Sequence, residues 1–237
     1  MNVNLKSYVS AAIIAVGIIG LGCSIKAGLS SLTDSTRVVS VRGLCEREVE
    51  ANLVTWPVVT KEMGNDLSEI YANITRTNAT ILKFLKSNGI SDEEVTVNPP
   101  QVEDRQANNY SDDSSIRWRY RVTNVIVVKS SKIKVVNDLM RRQTELMQDG
   151  IAIVAGDYQY STTYEFTELN TIKPEMIAIA TGNAREAAVE FAEDSGSKLG
   201  KIKSATQGQF TIEDRDSYTP YIKNVRVVTY VDYYLDN

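Results

Sequence analysis

The sequence predicts an α+β fold in which a largely antiparallel sheet is backed by helices on one face, preceded by an N-terminal transmembrane or signal helix. The first observation is a long uncharged run near the N-terminus. The second is that, in the rest of the chain, segments with the hydrophobic pattern of strands outnumber segments with the hydrophobic pattern of helices. The third is the predicted element order, ββα, ββα, βα, ββ, which has too few helices to cover both faces of a parallel sheet.

The N-terminal segment between Lys6 and Lys26 has 19 uncharged residues in a row, SYVSAAIIAVGIIGLGCSI. At about 1.5 Å of rise per residue, a helix of that length is close to the thickness of a bilayer's hydrocarbon core. We interpret residues 1–26 as a membrane anchor or signal segment and residues 27–36 as a linker. Residues 37–237 then form an α+β domain, whose length suits either one well-buried core or two small lobes.

The sequence does not decide whether this segment is cleaved. The length of the run favours an uncleaved anchor, whereas small residues around Gly20 and Gly22 are compatible with a cleaved signal peptide. A lipoprotein signal would make Cys23 the first mature residue, although such signals usually carry Leu where this chain has Gly20. A buried core helix is disfavoured by the terminal position, and basic residues on the two sides nearly balance, so they do not set an orientation.

Composition excludes several classes of function. The formal net charge of −4 argues against nucleic acid as a partner, because that partner needs a basic surface. The chain has no histidine, which excludes serine–histidine and cysteine–histidine catalytic pairs and removes the commonest zinc ligand. Its two cysteines, Cys23 and Cys45, cannot form a disulfide framework, and we predict that Cys45 is a small buried side chain in a strand.

Two strands and a helix are predicted after the linker. Residues 37–51 have a strand pattern, and Gly43 predicts a bulge or bend. Residues 54–60 form the next strand, where Pro57 predicts an edge position or a bulge because proline cannot donate a ladder hydrogen bond. Asp66 begins a helix that ends at Asn88 and Gly89. Its predicted core face consists of Leu67, Ile70, Ile74, Ile81 and Leu85.

The middle of the chain is predicted to contain two strands and a second helix. Residues 94–102 form a strand shortened by its two prolines, residues 104–115 a polar connection, and residues 116–129 a strand rich in aromatic and β-branched residues. The helix that follows ends at Asp149 and Gly150. Its apolar face consists of Val135, Val136, Leu139, Met140, Leu146 and Met147.

The C-terminal part is predicted to contain an extended run, a third helix and a hairpin. Residues 151–166 are extended, and the helix begins at Pro174, where the missing N–H costs nothing. It ends near residues 195–196, and its alanines permit close packing: Ala180, Ala184, Ala187, Ala188 and Ala192. Strands over residues 201–212 and 221–235 close the chain around a turn at residues 214–219.

Two charged stripes form the candidate interaction face of the domain. They are Arg117, Arg119 and Arg121 on one strand and Glu46, Glu48 and Glu50 on another. Guanidinium groups about 7 Å apart could bind an anionic polymer or phosphate. We favour cross-strand pairing of the arginines with carboxylates, for which the glutamate stripe has a matching period. If both stripes are exposed, they could instead form ion pairs between subunits.

Two further clusters lie near the last hairpin. The run Glu213-Asp214-Arg215-Asp216 offers oxygen ligands for calcium, but it lacks the length and glycine spacing of a calcium loop, so we interpret it as a solvated turn. Five tyrosines form either an aromatic contact surface or ordinary sheet packing. They are Tyr218, Tyr221, Tyr230, Tyr233 and Tyr234. We predict no catalytic, cofactor or metal site.

Four segments resemble the SIMPL-domain family of bacterial envelope proteins, which includes a YggE-like periplasmic group. They are VVSVRGLCEREVEA, WPVVTKEMGNDL, SNGISDEEVTVNPP and SATQGQFTIEDRDSYTPYIKNVRVVTYVDYYL. The resemblance spans the chain from Val38 nearly to its end. It implies export across the inner membrane, an α+β fold, a tendency to form ring-like or channel-like oligomers, and a loose association with envelope or oxidative stress.

The leading hypothesis is a non-enzymatic envelope protein with a periplasmic domain anchored to the inner membrane. It would form homo-oligomers or bind envelope proteins through sheet edges and charged faces. A second hypothesis is a binding module for a small anionic or peptide ligand on the Arg117 to Arg121 face. A third is an enzyme that uses a pair of carboxylates as general acid and base.

Overall fold

The computed structural model describes residues 13–26, 37–107, 117–154, 156 and 158–236. Residues 13–26 form helix α1. Over the residues that are described, no helix is both long and apolar enough to cross a membrane. The first residues of the uncharged run and the predicted linker, residues 27–36, lie outside the described residues.

The later elements are four helices and nine strands over the described ranges. The helices are α2 (Leu67–Ser87), α3 (Ile133–Arg142), α4 (Thr144–Gln148) and α5 (Leu169–Asp194). The strands are β1 (Val38–Glu50), β2 (Leu53–Gly64), β3 (Val95–Val97), β4 (Gln101–Asp104), β5 (Tyr120–Ser130), β6 (Thr163–Glu165), β7 (Lys198–Gln207), β8 (Thr211–Asp214) and β9 (Ile222–Asp236).

The chain folds into two compact units. The first takes its described residues from Met1–Arg47, Asn170–Thr211 and Arg226–Asn237, and the second from Glu48–Leu169 and Ile212–Val225. One sheet has the order β1-β9-β7 with β8 also paired to β9, and the other has the order β3-β5-β2-β6 with β4 also paired to β5. The registers along β5 and β7 are antiparallel, which confirms the predicted α+β class.

The core of the first unit lies between helix α5 and strands β1 and β9. The alanine face of α5 is fully buried at Ala180, Ala184 and Ala188, whereas Ala187 is exposed. Gly43 of β1 faces this helix, and a Cβ atom there would lie 1.8 Å from the carbonyl oxygen of Ala180. Position 43 therefore requires glycine, because β1 approaches α5 too closely there for a side chain.

The core of the second unit is formed by α2, α3 and the sheet that contains β2 and β5. Asp66 caps α2, since its Oδ1 accepts hydrogen bonds from the backbone N–H groups of Ser68 (2.7 Å) and Glu69 (3.4 Å). The predicted core face of α2 is buried except at Leu67, which is exposed. The helix ends where Gly89 adopts a φ of 89°, a conformation that favours glycine.

The predicted edge position of Pro57 is wrong, because β2 lies between β5 and β6. Strand β6 pairs with β2 as far as Thr55, opposite Thr163. The next bridge on that side among the described residues joins Thr60 to Ile153. Pro57 lies between these two pairings, so a central strand accommodates a residue that has no N–H to donate.

Several predicted elements are divided or displaced in the structure. The strand predicted over residues 94–102 becomes β3 and β4, because the two prolines interrupt the pairing with β5. The helix predicted to begin at Pro174 begins at Leu169, so Pro174 lies inside α5 and the carbonyl of Asn170 loses its usual intrahelical donor. The strand predicted over residues 201–212 becomes β7 and β8.

Candidate interaction surfaces

The arginine stripe is largely neutralised by the neighbouring strand. Arg119 contacts Asp104 through Nε, 3.1 Å from both carboxylate oxygens, and through Nη2, 2.7 Å from Oδ2. The Nη1 atom of Arg121 lies 3.1 Å from Oε2 of Glu103, directly opposite it in the register of β4 and β5. The hydrogen bonds from Arg119 lower the pKa of Asp104. Arg119 and Arg121 therefore pair with carboxylates across strands, but these carboxylates come from β4 and not from the glutamate stripe.

Arg117 differs from the other two members of the stripe. It precedes β5, and its guanidinium carbon lies 5.0 Å from the ring centroid of Trp118, a cation–π geometry. Within the described ranges it has no ion-pair partner. The three arginines thus do not present three free guanidinium groups in a row.

The glutamate stripe also has arginine partners of its own. In the first unit, Oε1 of Glu46 lies 3.2 Å from Nε of Arg226. In the second unit, Oε2 of Glu48 lies 3.3 Å from Nη1 of Arg215. Glu50 is exposed and makes no ion pair with another described residue. Exposed pairs of this kind add little to stability, because water screens them.

Cys45 is buried in β1, as predicted for a structural side chain. Burial raises the pKa of its thiol, and the nearby carboxylate of Glu175 raises it further. Since the thiolate is the reactive form, Cys45 is a poor nucleophile at neutral pH. Both cysteines of the described residues are free thiols.

The acidic cluster of the last hairpin is a turn held by its own side chains. Asp216 Oδ1 accepts hydrogen bonds from the N–H groups of Tyr218 (2.8 Å) and Thr219 (2.7 Å). Hydrogen bonds from the Thr219 hydroxyl and from Arg215 lower the pKa of Asp216 to about 2. Asp214 pairs with the buried Lys223. No group of three possible metal-ligating side chains occurs in the part of the chain that the structure describes.

The five C-terminal tyrosines divide into two sets. Tyr233 is buried in the first unit, and Tyr230 and Tyr234 of β9 lie under the cations of Arg42 and Lys203, with centroid distances of 5.2 and 5.9 Å. Tyr218 and Tyr221 instead lie on the surface of the second unit. Sheet packing is therefore confirmed for the tyrosines of β9, whereas a contact surface at Tyr218 and Tyr221 stays a prediction.

Tyr218 and Tyr221 line a cleft in the second unit that sequence reasoning missed. The cleft has a volume of about 480 Å³ and lies between α3, β6 and the loop that precedes β9. Its other main lining residues are Asn137, Arg141, Tyr164 and Pro220. The exposed tyrosines were the available signal, but nothing in the local pattern places α3 beside residues nearly 80 positions later in the chain.

Strand β7 is an uncovered sheet edge in the first unit. Residues 201–207 are exposed on both faces of the strand, and in the described sheet β7 pairs with β9 alone. The N–H of Gly208 donates to the carbonyl of Val228 (2.8 Å), in continuation of the register that places Gln207 opposite Thr229. Because N–H directions alternate along a strand, Thr206 also directs its N–H towards β9, whereas Ala205 and Gln207 direct theirs outward.

Comparison with known proteins gives a family for this chain. A family model described as SIMPL, protein of unknown function (DUF541), matches residues 39–227. No curated protein matches the chain. The matched residues begin in β1 and end in β9, so they include every strand of both sheets at least in part.

Proposed function

This chain belongs to the SIMPL family, and we propose that it is a non-enzymatic, membrane-anchored protein of the bacterial cell envelope that acts by self-assembly or by binding envelope partners. The observation that carries the proposal is the uncovered edge of β7. A strand edge with free N–H and C=O groups can pair with a strand of another chain. In this fold, that edge is an assembly surface for copies of the same chain.

The side chains of β7 favour pairing with a defined partner over indiscriminate aggregation. Lys198, Lys201 and Lys203 place positive charge along the strand, and such charges are a usual protection of edge strands. Ile202 is 54% exposed beside them and supplies apolar area for a contact. A strand of another copy that carries both acidic and apolar side chains would match both features.

The location and the lack of enzymatic activity rest on other features. The uncharged run before Lys26 supports an envelope protein held at the membrane by its N-terminus, with its domain in the periplasm. The absence of histidine from the whole chain supports a role without acid–base chemistry at neutral pH. A role in envelope or oxidative stress is an extension of the same proposal, drawn from the family resemblance.

Blocking the outward N–H of Ala205 tests the assembly surface. Ala205→Pro removes this donor but leaves the ladder to β9 intact, because edge strands tolerate proline where the N–H faces solvent. We expect an amine-reactive cross-linker to join wild-type chains through the exposed lysines and to give at least a fivefold lower yield of cross-linked Ala205→Pro chains. Full-length protein in detergent is the sample.

Two matched variants control this experiment. Ala205→Val keeps the N–H and should cross-link like the wild type, whereas Thr206→Pro removes a bond to β9 and should lower the free energy of unfolding instead. Equal cross-linking of folded Ala205→Pro and wild-type chains would overturn the proposed role of the β7 edge.

The alternative function is a binding module for a small anionic or peptide ligand. The arginine stripe gives it little support, because Arg119 and Arg121 are already paired with carboxylates. The cleft lined by Tyr218 and Tyr221 favours it, since its volume lies in the range of ligand pockets.

A further inference from the structure

The floor of the tyrosine cleft is a fixed aromatic surface. The hydroxyl of Tyr164 donates to Oδ1 of Asn137 (2.5 Å), which ties β6 to helix α3. The rings of Tyr164 and Tyr221 meet edge to face, with centroids 6.1 Å apart and planes at 66°. These contacts hold Tyr164 and Tyr221 in place before any ligand arrives, so little conformational freedom is lost on binding.

The wall of the cleft is an exposed tyrosine on a braced loop. The Tyr218 side chain is 91% exposed. Its backbone is nonetheless fixed, because Asp216 accepts hydrogen bonds from the backbone N–H groups of Tyr218 and Thr219. Arg215 also donates a hydrogen bond to the Thr219 hydroxyl (3.0 Å). An uncovered aromatic ring on a preorganised loop is typical of a recognition surface.

Arg141 gives the cleft its charge. It follows Asn137 by one helical turn and is the one charged side chain among the described lining residues. Its neighbour Arg142 pairs with both Asp138 (3.5 Å) and Glu145 (2.7 Å), and within the described structure no carboxylate pairs with Arg141. An anionic group on a ligand would therefore meet a guanidinium group that has no carboxylate partner among the described residues.

We propose that this cleft binds an extended peptide that contains proline and a carboxylate, with proline rings packed on Tyr218 and Tyr221 and the carboxylate on Arg141. Proline-rich segments lie in grooves lined by aromatic rings because their extended helix is formed in advance and loses little entropy. The planar guanidinium of arginine suits a carboxylate. The inference needs no assembly of this chain, since all lining residues lie within one unit.

Calorimetric titration of the full-length chain with one synthetic peptide tests the proposal. The probe is acetyl-Ala-Pro-Pro-Ala-Pro-Glu-Glu-amide, and we expect saturable binding. Arg141→Gln and Tyr218→Ala should each weaken binding about 10-fold, which corresponds to about 1.4 kcal/mol. Both side chains are exposed, so these variants should keep the wild-type unfolding midpoint.

Variants outside the cleft and altered probes supply the controls. Arg185→Gln and Tyr158→Ala change an exposed arginine and an exposed tyrosine elsewhere, and both should bind like the wild type. A probe with glutamines in place of its glutamates should bind the wild type as weakly as the original binds Arg141→Gln.

Three outcomes would overturn the inference. They are the absence of saturable binding at millimolar peptide, unchanged affinity in both cleft variants, and undiminished binding of a probe whose prolines are replaced by alanines. None of these outcomes bears on the cross-linking of Ala205 variants, so the cleft and the β7 edge can fail separately.

Discussion

Glu94 joins the start of β3 to the end of β5 through one carboxylate. It accepts hydrogen bonds from Ser130 Oγ (2.5 Å), Lys132 Nζ (2.8 Å) and the Ser91 N–H (2.8 Å). Partial burial raises the pKa of Glu94, but these hydrogen bonds together outweigh that effect and lower the pKa from 4.5 to about 2. The ionised form is thus stabilised in the folded state.

Glu94→Gln should lower the free energy of unfolding by about 2 kcal/mol at pH 7. Because the folded pKa is depressed, the contribution of Glu94 is fully present above the unfolded pKa of 4.5 and disappears as the pH falls through about 2. Urea unfolding of both proteins at pH 7, 4 and 2.5 measures the difference. If the two proteins differ by the same free energy of unfolding at all three pH values, the ionised Glu94 carboxylate is not the source of the stability.

Residue-level predictions succeed where the cause lies nearby in the sequence. Asp66 caps α2 through atoms two and three residues away, and the sequence predicts that cap. The partner of Arg119 is Asp104, 15 positions earlier and the first residue of the segment interpreted as a polar connection. The pattern therefore predicts a stripe with carboxylate partners, but only strand pairing identifies β4 as their source.

At the scale of elements, the close packing of β1 on α5 depends on the absence of a side chain at Gly43. A Cβ atom at position 43 would lie 2.5 Å from the backbone N of Ala184 as well as 1.8 Å from the Ala180 oxygen. Backbone atoms of a helix cannot move aside without breaking its hydrogen bonds. Gly43 is therefore required by the contact between the two elements.

Gly43→Ala should lower the free energy of unfolding by about 3 kcal/mol, at the upper end of the range for overpacking. Gly182→Ala is the matched control on α5, because a Cβ there meets nothing within 4 Å. That control should leave stability unchanged or raise it by up to about 1 kcal/mol, since alanine favours helices. Denaturant midpoints measure both, and equal stability of the two variants would argue against the packing account.

The sequence predicts which segments are helices or strands better than it predicts where each of them begins and ends. Local turn signals place the end of α2 at Gly89 and the hairpin at Asp216. The position of Pro57 in the sheet depends instead on partners distant in the chain, which are β6 and the bridge at Ile153. A proline pattern alone therefore predicts an edge strand where the fold has a central one.

At the scale of the whole molecule, the sequence predicts the α+β class but does not decide between one core and two lobes. The class follows from the number and order of elements. The division follows from pairings such as Leu235 with Arg37, whose residues are too far apart for any local pattern to relate them. The same long-range pairing leaves β7 at the end of its sheet.

The mass of the full-length chain in detergent, measured by size-exclusion chromatography with light scattering, tests the central claim that the chain assembles. We expect one discrete species whose protein mass is a whole multiple of 26.3 kDa, two copies or more. A single species of 26.3 kDa at all concentrations examined would contradict self-assembly and leave the tyrosine cleft as the basis for function.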